Sequence, residues 1–174
     1  IFLDLKLHDI PNTVLRGMNA ISKLKPLLTT IHISGGDEMM KASLINNNRT
    51  KVLGVSILTS LDSIQTSKYY KEKNIEILVR KFALRAKKCK LHGVVCSPRE
   101  IKYVRKEVGN NFLIVTPGIR VSKIKENSDD QKRILSPSEA INLGADLLVI
   151  GRPITQSKNP LNFIKQINKT LELK

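Results

Sequence analysis

Short apolar runs rich in β-branched residues alternate along this chain with segments whose apolar positions recur at helical spacing. The runs at 1–7, 28–34, 52–58, 92–96, 112–116 and 146–150 predict strands. The pattern between them predicts helices at 12–25, 37–46, 75–90, 98–108, 137–143 and 160–172. Start and stop signals agree with these bounds. Pro11 precedes the first helix, Ser97-Pro98 the fourth and Ser136-Pro137 the fifth, and Gly144 follows the fifth. Six strands alternating with helices imply consecutive βα units, hence an α/β domain around a parallel sheet.

Such units build either an open doubly wound sheet or a closed barrel. The turns after the last two strands favour the barrel. V-T-P-G-I-R (115–120) and V-I-G-R-P-I-T (149–155) each place a glycine and an arginine just past a buried strand. Glycine lets the backbone approach a ligand closely, and arginine offers a planar fork of donors to an oxyanion. Gly-Pro clusters also simply make turns; their pairing on the last two strands is what points to an anion site. TIM barrels commonly hold phosphate with the loops after strands seven and eight. On that count residues 1–174 form one partial TIM (β/α)8 barrel domain of strands three to eight, with the first two strands lacking. A chain that opens at Ile1 directly on a central strand fits this expectation. The polar stretch Val121 to Leu135 reads as a binding loop, and the segment T-S-L-D-S-I-Q-T-S after the strand at 52–58 as a second polar loop.

The formal charge of +15 changes little. The lysines spread over helix faces such as Lys87/Lys88/Lys90 and Lys165/Lys169, and aromatics are 4% of the chain, so a base-stacking groove is not expected. Neither nucleic acid nor membrane is an expected partner, since no apolar run reaches the length of a span. Cys89 and Cys96 form no C-x-x-C pair, which suits a reduced, cytoplasmic setting. His8, His32 and His92 lack metal-ligand spacing, so no metal is expected, and Met39-Met40 reads as helix core.

The first strand carries the candidate chemistry. In I-F-L-D-L-K-L-H-D-I-P-N-T, Asp4 and Lys6 project to one face while Leu3, Leu5 and Leu7 project to the other. Opposite charges in so apolar a strand form either a structural ion pair or a reaction site. Asp9, just past the strand end, adds a second carboxylate where parallel α/β folds place their chemistry.

D-L-K-L-H-D-I-P-N-T, followed downstream by S-G-G-D-E-M-M, L-T-S-L-D, G-V-V-C-S-P, T-P-G-I-R, D-Q and G-R-P-I-T, closely resembles the orotidine 5′-phosphate decarboxylase family of the bacterial type. The resemblance runs from Ile1 to about Thr155. It implies decarboxylation of orotidine 5′-monophosphate to UMP in de novo pyrimidine biosynthesis, without metal or organic cofactor. By the same resemblance Lys6 is the proton donor to C6 of the pyrimidine and Asp4 the carboxylate beside the departing CO2. Asp9 completes the array from the partner subunit of a homodimer, with Ile10 and Thr13. Thr59 contacts the pyrimidine, Gly151 and Arg152 grip the phosphate, Gln131 links phosphate to base, and Arg120 falls on a further ligand position.

The resemblance also places a second lysine and a ligand aspartate on the two lacking strands. The 174 residues alone are therefore expected to be inactive and to fold poorly. Two other readings remain at this point. One is a magnesium-dependent sugar-phosphate lyase or synthase sharing D-x-K-x-x-D; the other is a basic nucleic-acid-binding protein.

Overall fold

The computed structural model describes residues 1–46, 49–119 and 135–172. Six strands, β1 (Phe2–Leu7), β2 (Leu28–His32), β3 (Lys51–Val55), β4 (Gly93–Val95), β5 (Leu113–Pro117) and β6 (Leu147–Val149), form one parallel sheet in chain order. Helices α1 (Pro11–Leu24), α2 (Asp37–Ala42), α3 (Ser63–Tyr70), α4 (Ile75–Lys88), α5 (Ile101–Val108), α6 (Pro137–Asn142), α7 (Arg152–Thr155) and α8 (Pro160–Glu172) lie between and after them.

The helices cover one face of the sheet. Val14, Met18 and Ile21 of α1 repeat at intervals of four and three residues, and with Leu78, Val79, Ala83 and Ala86 of α4 and Ile101, Val104 and Val108 of α5 they bury a stripe. These side chains form one large core with Ile31, Val52, Val94 and Ile114, which face outward from the strands. Met39 and Met40 are fully buried in the same core, as their sequence context predicts. The opposite face is packed by strand residues alone: Leu28, Leu53 and Val115 with Phe2, Val95 and Leu113. A doubly wound sheet would carry helices on both faces and reverse its strand order at a switch point. Strand order equal to chain order, with a helix-free inner face, is the wall of a barrel. Gly93 shows how tightly that wall packs. A Cβ there would lie 2.5 Å from the Leu113 carbonyl oxygen and 2.8 Å from Leu53.

Three local differences from the sequence reading have physical causes. The segment after β3, expected as a polar loop, becomes helical from Ser63. The Asp62 carboxylate accepts from the Gln65 amide and the Gln65 side chain accepts from the Asp62 amide, a reciprocal cap that nucleates α3. Residues Ile33–Gly35 leave the strand at 28–34 as a single 3-10 turn, because Gly36, at φ 89°, bends the chain into α2. Leu5, expected to share a face with Leu3 and Leu7, is 51% exposed, whereas those two pack against the helix-covered core. Here β1 departs from the regular ladder: Leu3 pairs with Thr29 and Leu7 with Ile31, so β1 advances four residues while β2 advances two. The bulge falls on Asp4, Leu5 and Lys6.

Candidate active site

The bulge sets the geometry of the charged strand. Lys6 takes a left-handed backbone conformation with φ 52°, uncommon for a residue with a side chain. Its Nζ donates to Asp4 Oδ2 at 2.6 Å. The Thr30 hydroxyl on β2 donates to Asp4 Oδ1 at 2.7 Å and accepts from the Lys6 backbone amide at 2.9 Å. Lys6 and Asp4 are 40% and 45% exposed, so the pair opens onto solvent where a sealed strand interior was expected. An ion pair that exposed contributes little to stability, about 0–1 kcal/mol. A placement that does so little for the fold leaves the chemical reading of the pair standing.

His32, two residues beyond Thr30, occupies the same face at the end of β2, and its ring lies 5.2 Å from that of His8. Burial, then the neighbouring His8 and Lys6, lowers its pKa from the ordinary 6.5, so the ring is neutral at pH 7. Thr30 and His32 were missed in the sequence reading. The available signal was two polar residues two apart in a strand, which places both on the face that also holds Asp4 and Lys6.

The remaining candidates follow the carboxyl ends of different strands and so share one rim of the sheet. Asp9, Ile10 and Thr13, after β1, are all exposed. Asp9 Oδ1 accepts from the Ile10 amide at 2.7 Å just ahead of α1. Among the described residues the ion-pair partner of Lys6 is Asp4, and Asp9 of the same chain makes no such pair. Thr59 is exposed after β3. Beyond β5, Gly118 turns with φ 77° and Ile119 returns to the core at 2% exposure. After β6, Gly151 has open space where a Cβ would stand and its carbonyl accepts from the Ile154 and Thr155 amides, starting α7 with Arg152 exposed at its first position. Arg120 and Gln131 lie outside the described residues. Among the described residues no group of three or more His, Cys, Asp and Glu side chains could hold a metal ion, and no helix is long and apolar enough to cross a membrane.

Comparisons with known proteins agree with the fold. The model of the Orotidine 5′-phosphate decarboxylase / HUMPS family matches residues 1–167. An orotidine 5′-phosphate decarboxylase of Wolbachia pipientis subsp. Culex pipiens is 48% identical over 173 residues, which cover 98% of this chain and 75% of that protein. The Staphylococcus saprophyticus enzyme of the same name is 45% identical over 178 residues, again with 98% and 75% covered. The crystal structure of orotidine 5′-phosphate decarboxylase from Lactobacillus acidophilus superposes with a TM-score of 0.82 at 36% identity, covering 97% of this chain and 74% of that one. A partial TIM barrel with a charged first strand, matched over nearly its whole length, thus belongs to the orotidine 5′-phosphate decarboxylase / HUMPS family.

Proposed function

We propose that this chain decarboxylates orotidine 5′-monophosphate to UMP in pyrimidine biosynthesis, the reaction for which its relatives are named. The observation that carries the reading is the ammonium of Lys6 held 2.6 Å from Asp4 on the strand-end rim of the barrel. Loss of CO2 from C6 leaves an electron pair in the plane of the pyrimidine, where the π-system cannot delocalise it. Catalysis without an electron sink needs positive charge fixed where that pair emerges. The Lys6 ammonium supplies it and then transfers its proton to C6. Asp4 orients the amine through the 2.6 Å contact and lies beside the departing carboxylate. Asp9, reaching across a homodimer interface with Ile10 and Thr13, provides the second acidic neighbour; the exposure of all three residues supports that role. Thr59 contacts the base. The Gly151 amide and Arg152 hold the phosphate, and Arg120 and Gln131 complete the ligand set. Phosphate contacts remote from C6 supply binding energy that orients the ring.

The test uses a closed-barrel protein in which the first two βα units of a relative are joined to this chain, with loss of substrate absorbance as the readout. Lys6→Ala is expected to lower kcat on the order of 100- to 10,000-fold, the usual contribution of a positioned acid. An unchanged kcat would end the proton-donor assignment. Turnover that survives a chelator separates this reaction from a magnesium-dependent one on the same kind of barrel.

A further inference from the structure

Bulging a strand breaks its ladder, and here the break falls on the residue assigned the chemistry. The Lys6 amide, displaced from register, finds no backbone acceptor on β2 and bonds to the Thr30 hydroxyl instead. That hydroxyl has one proton, and it goes to Asp4 Oδ1, which leaves Oδ2 to face the Lys6 ammonium. Thr30 is 0% exposed, so water cannot take over either bond. One buried oxygen therefore fixes both the left-handed backbone of the lysine and the rotation of the carboxylate beside it.

We propose that Thr30 is a positioning residue, acting on the reaction through Asp4 and Lys6 without touching substrate. The inference rests on the decarboxylase reading of the site and goes one step deeper. A carboxylate free to rotate about its last torsion, and a lysine backbone free to relax toward the regular strand, would each move the ammonium away from C6. Displacements of about 1 Å typically cost on the order of 100-fold in rate.

The experiment compares Thr30→Val and Thr30→Ser with the unsubstituted closed-barrel protein. Valine keeps the branched shape that a strand favours and removes both hydrogen bonds; serine keeps both bonds and removes a methyl. Thr30→Val is expected to lower kcat on the order of 10- to 100-fold with a much smaller change in KM, and Thr30→Ser to restore most of the rate. A Thr30→Val protein with the parent kcat, or a Thr30→Ser protein as slow as Thr30→Val, overturns the proposal. If the parent protein turns over no orotidine 5′-monophosphate, the decarboxylase reading fails separately. Crystals of Thr30→Val then decide the positioning claim. A broken Asp4–Lys6 pair or a relaxed Lys6 φ upholds it, and unchanged geometry refutes it.

Discussion

Asp4 and Glu100 show how differently two carboxylates are used. Asp4 is 45% exposed and its pair with Lys6 contributes little, but Asp4→Ala strands the buried Thr30 hydroxyl and is expected to cost about 1–3 kcal/mol while removing turnover, as a denaturant melt and an activity assay on one preparation would reveal. Glu100 is 6% exposed, and among the described residues no cation forms an ion pair with it; its Oε2 accepts from the Ser97 amide at 2.8 Å. Burial raises its pKa above the ordinary 4.5. The folded state therefore holds the proton to higher pH than the unfolded chain, and stability falls as pH rises from about 4.5 through the folded pKa. Glu100→Gln keeps the acceptor and loses the titration. In urea melts between about pH 4 and 8, the stability of the parent minus that of the variant should fall as pH rises, which isolates Glu100 from groups such as His32 whose pKa is lowered. At this scale the sequence revealed Asp4, Lys6 and Asp9, because charges in an apolar strand stand out. Thr30 stayed hidden: threonine is an ordinary strand residue, and its role appears only once a bulge on the neighbouring strand turns an amide toward it.

Arg105 ties several elements together through one guanidinium. From α5 its guanidinium donates to the carbonyls of Gly109, Phe112 and Gly144 and to Asp146 Oδ2, which also accepts from the Ile114 amide. With its side chain 15% exposed, truncation strands three carbonyls and a carboxylate. Arg105→Ala is expected to cost roughly 3–5 kcal/mol. Arg85→Ala, removing an ion pair to Asp37 from a side chain 62% exposed, should cost less than about 1 kcal/mol. Chemical denaturation of the two variants side by side checks the contrast. Element existence was legible from periodicity, and all six strands and six expected helices are present. Two further helices, α3 and α7, were not read, because their short polar or turn-like sequences carry no apolar stripe. The Asp62–Gln65 cap was written in the sequence as D-x-x-Q and identified α3 without one.

Taken as a whole, the described sheet has β1 at one border and β6 at the other. Leu147 and Val149 remain 41% and 38% exposed on β6, and Leu5 projects from β1. Unpaired strand borders with apolar flanks promote association. These 174 residues expressed alone are expected to sediment as assemblies larger than a dimer of their 19.5 kDa mass, and closing the barrel with two further βα units should leave only the proposed dimer. The proposed dimer makes a separate prediction. If Asp9 acts in the neighbouring subunit's site, mixing inactive Lys6→Ala and Asp9→Ala closed-barrel proteins should restore about a quarter of the parental rate, since half the dimers are mixed and each has one intact site. No recovery after subunit exchange would place Asp9 elsewhere. The barrel was legible because two phosphate-type turns sat on the last two strands; the dimer was not, since exposed residues such as Ile10 carry no sign of what covers them.

Spatial order that equals chain order has a consequence for how the protein is made. Each strand docks on the one synthesised just before it, so a nascent chain leaving the ribosome never waits for a distant segment to satisfy its newest backbone groups. Assembly can advance one βα step at a time, with the starting edge and the growing edge both open to misassociation until the sheet closes on itself.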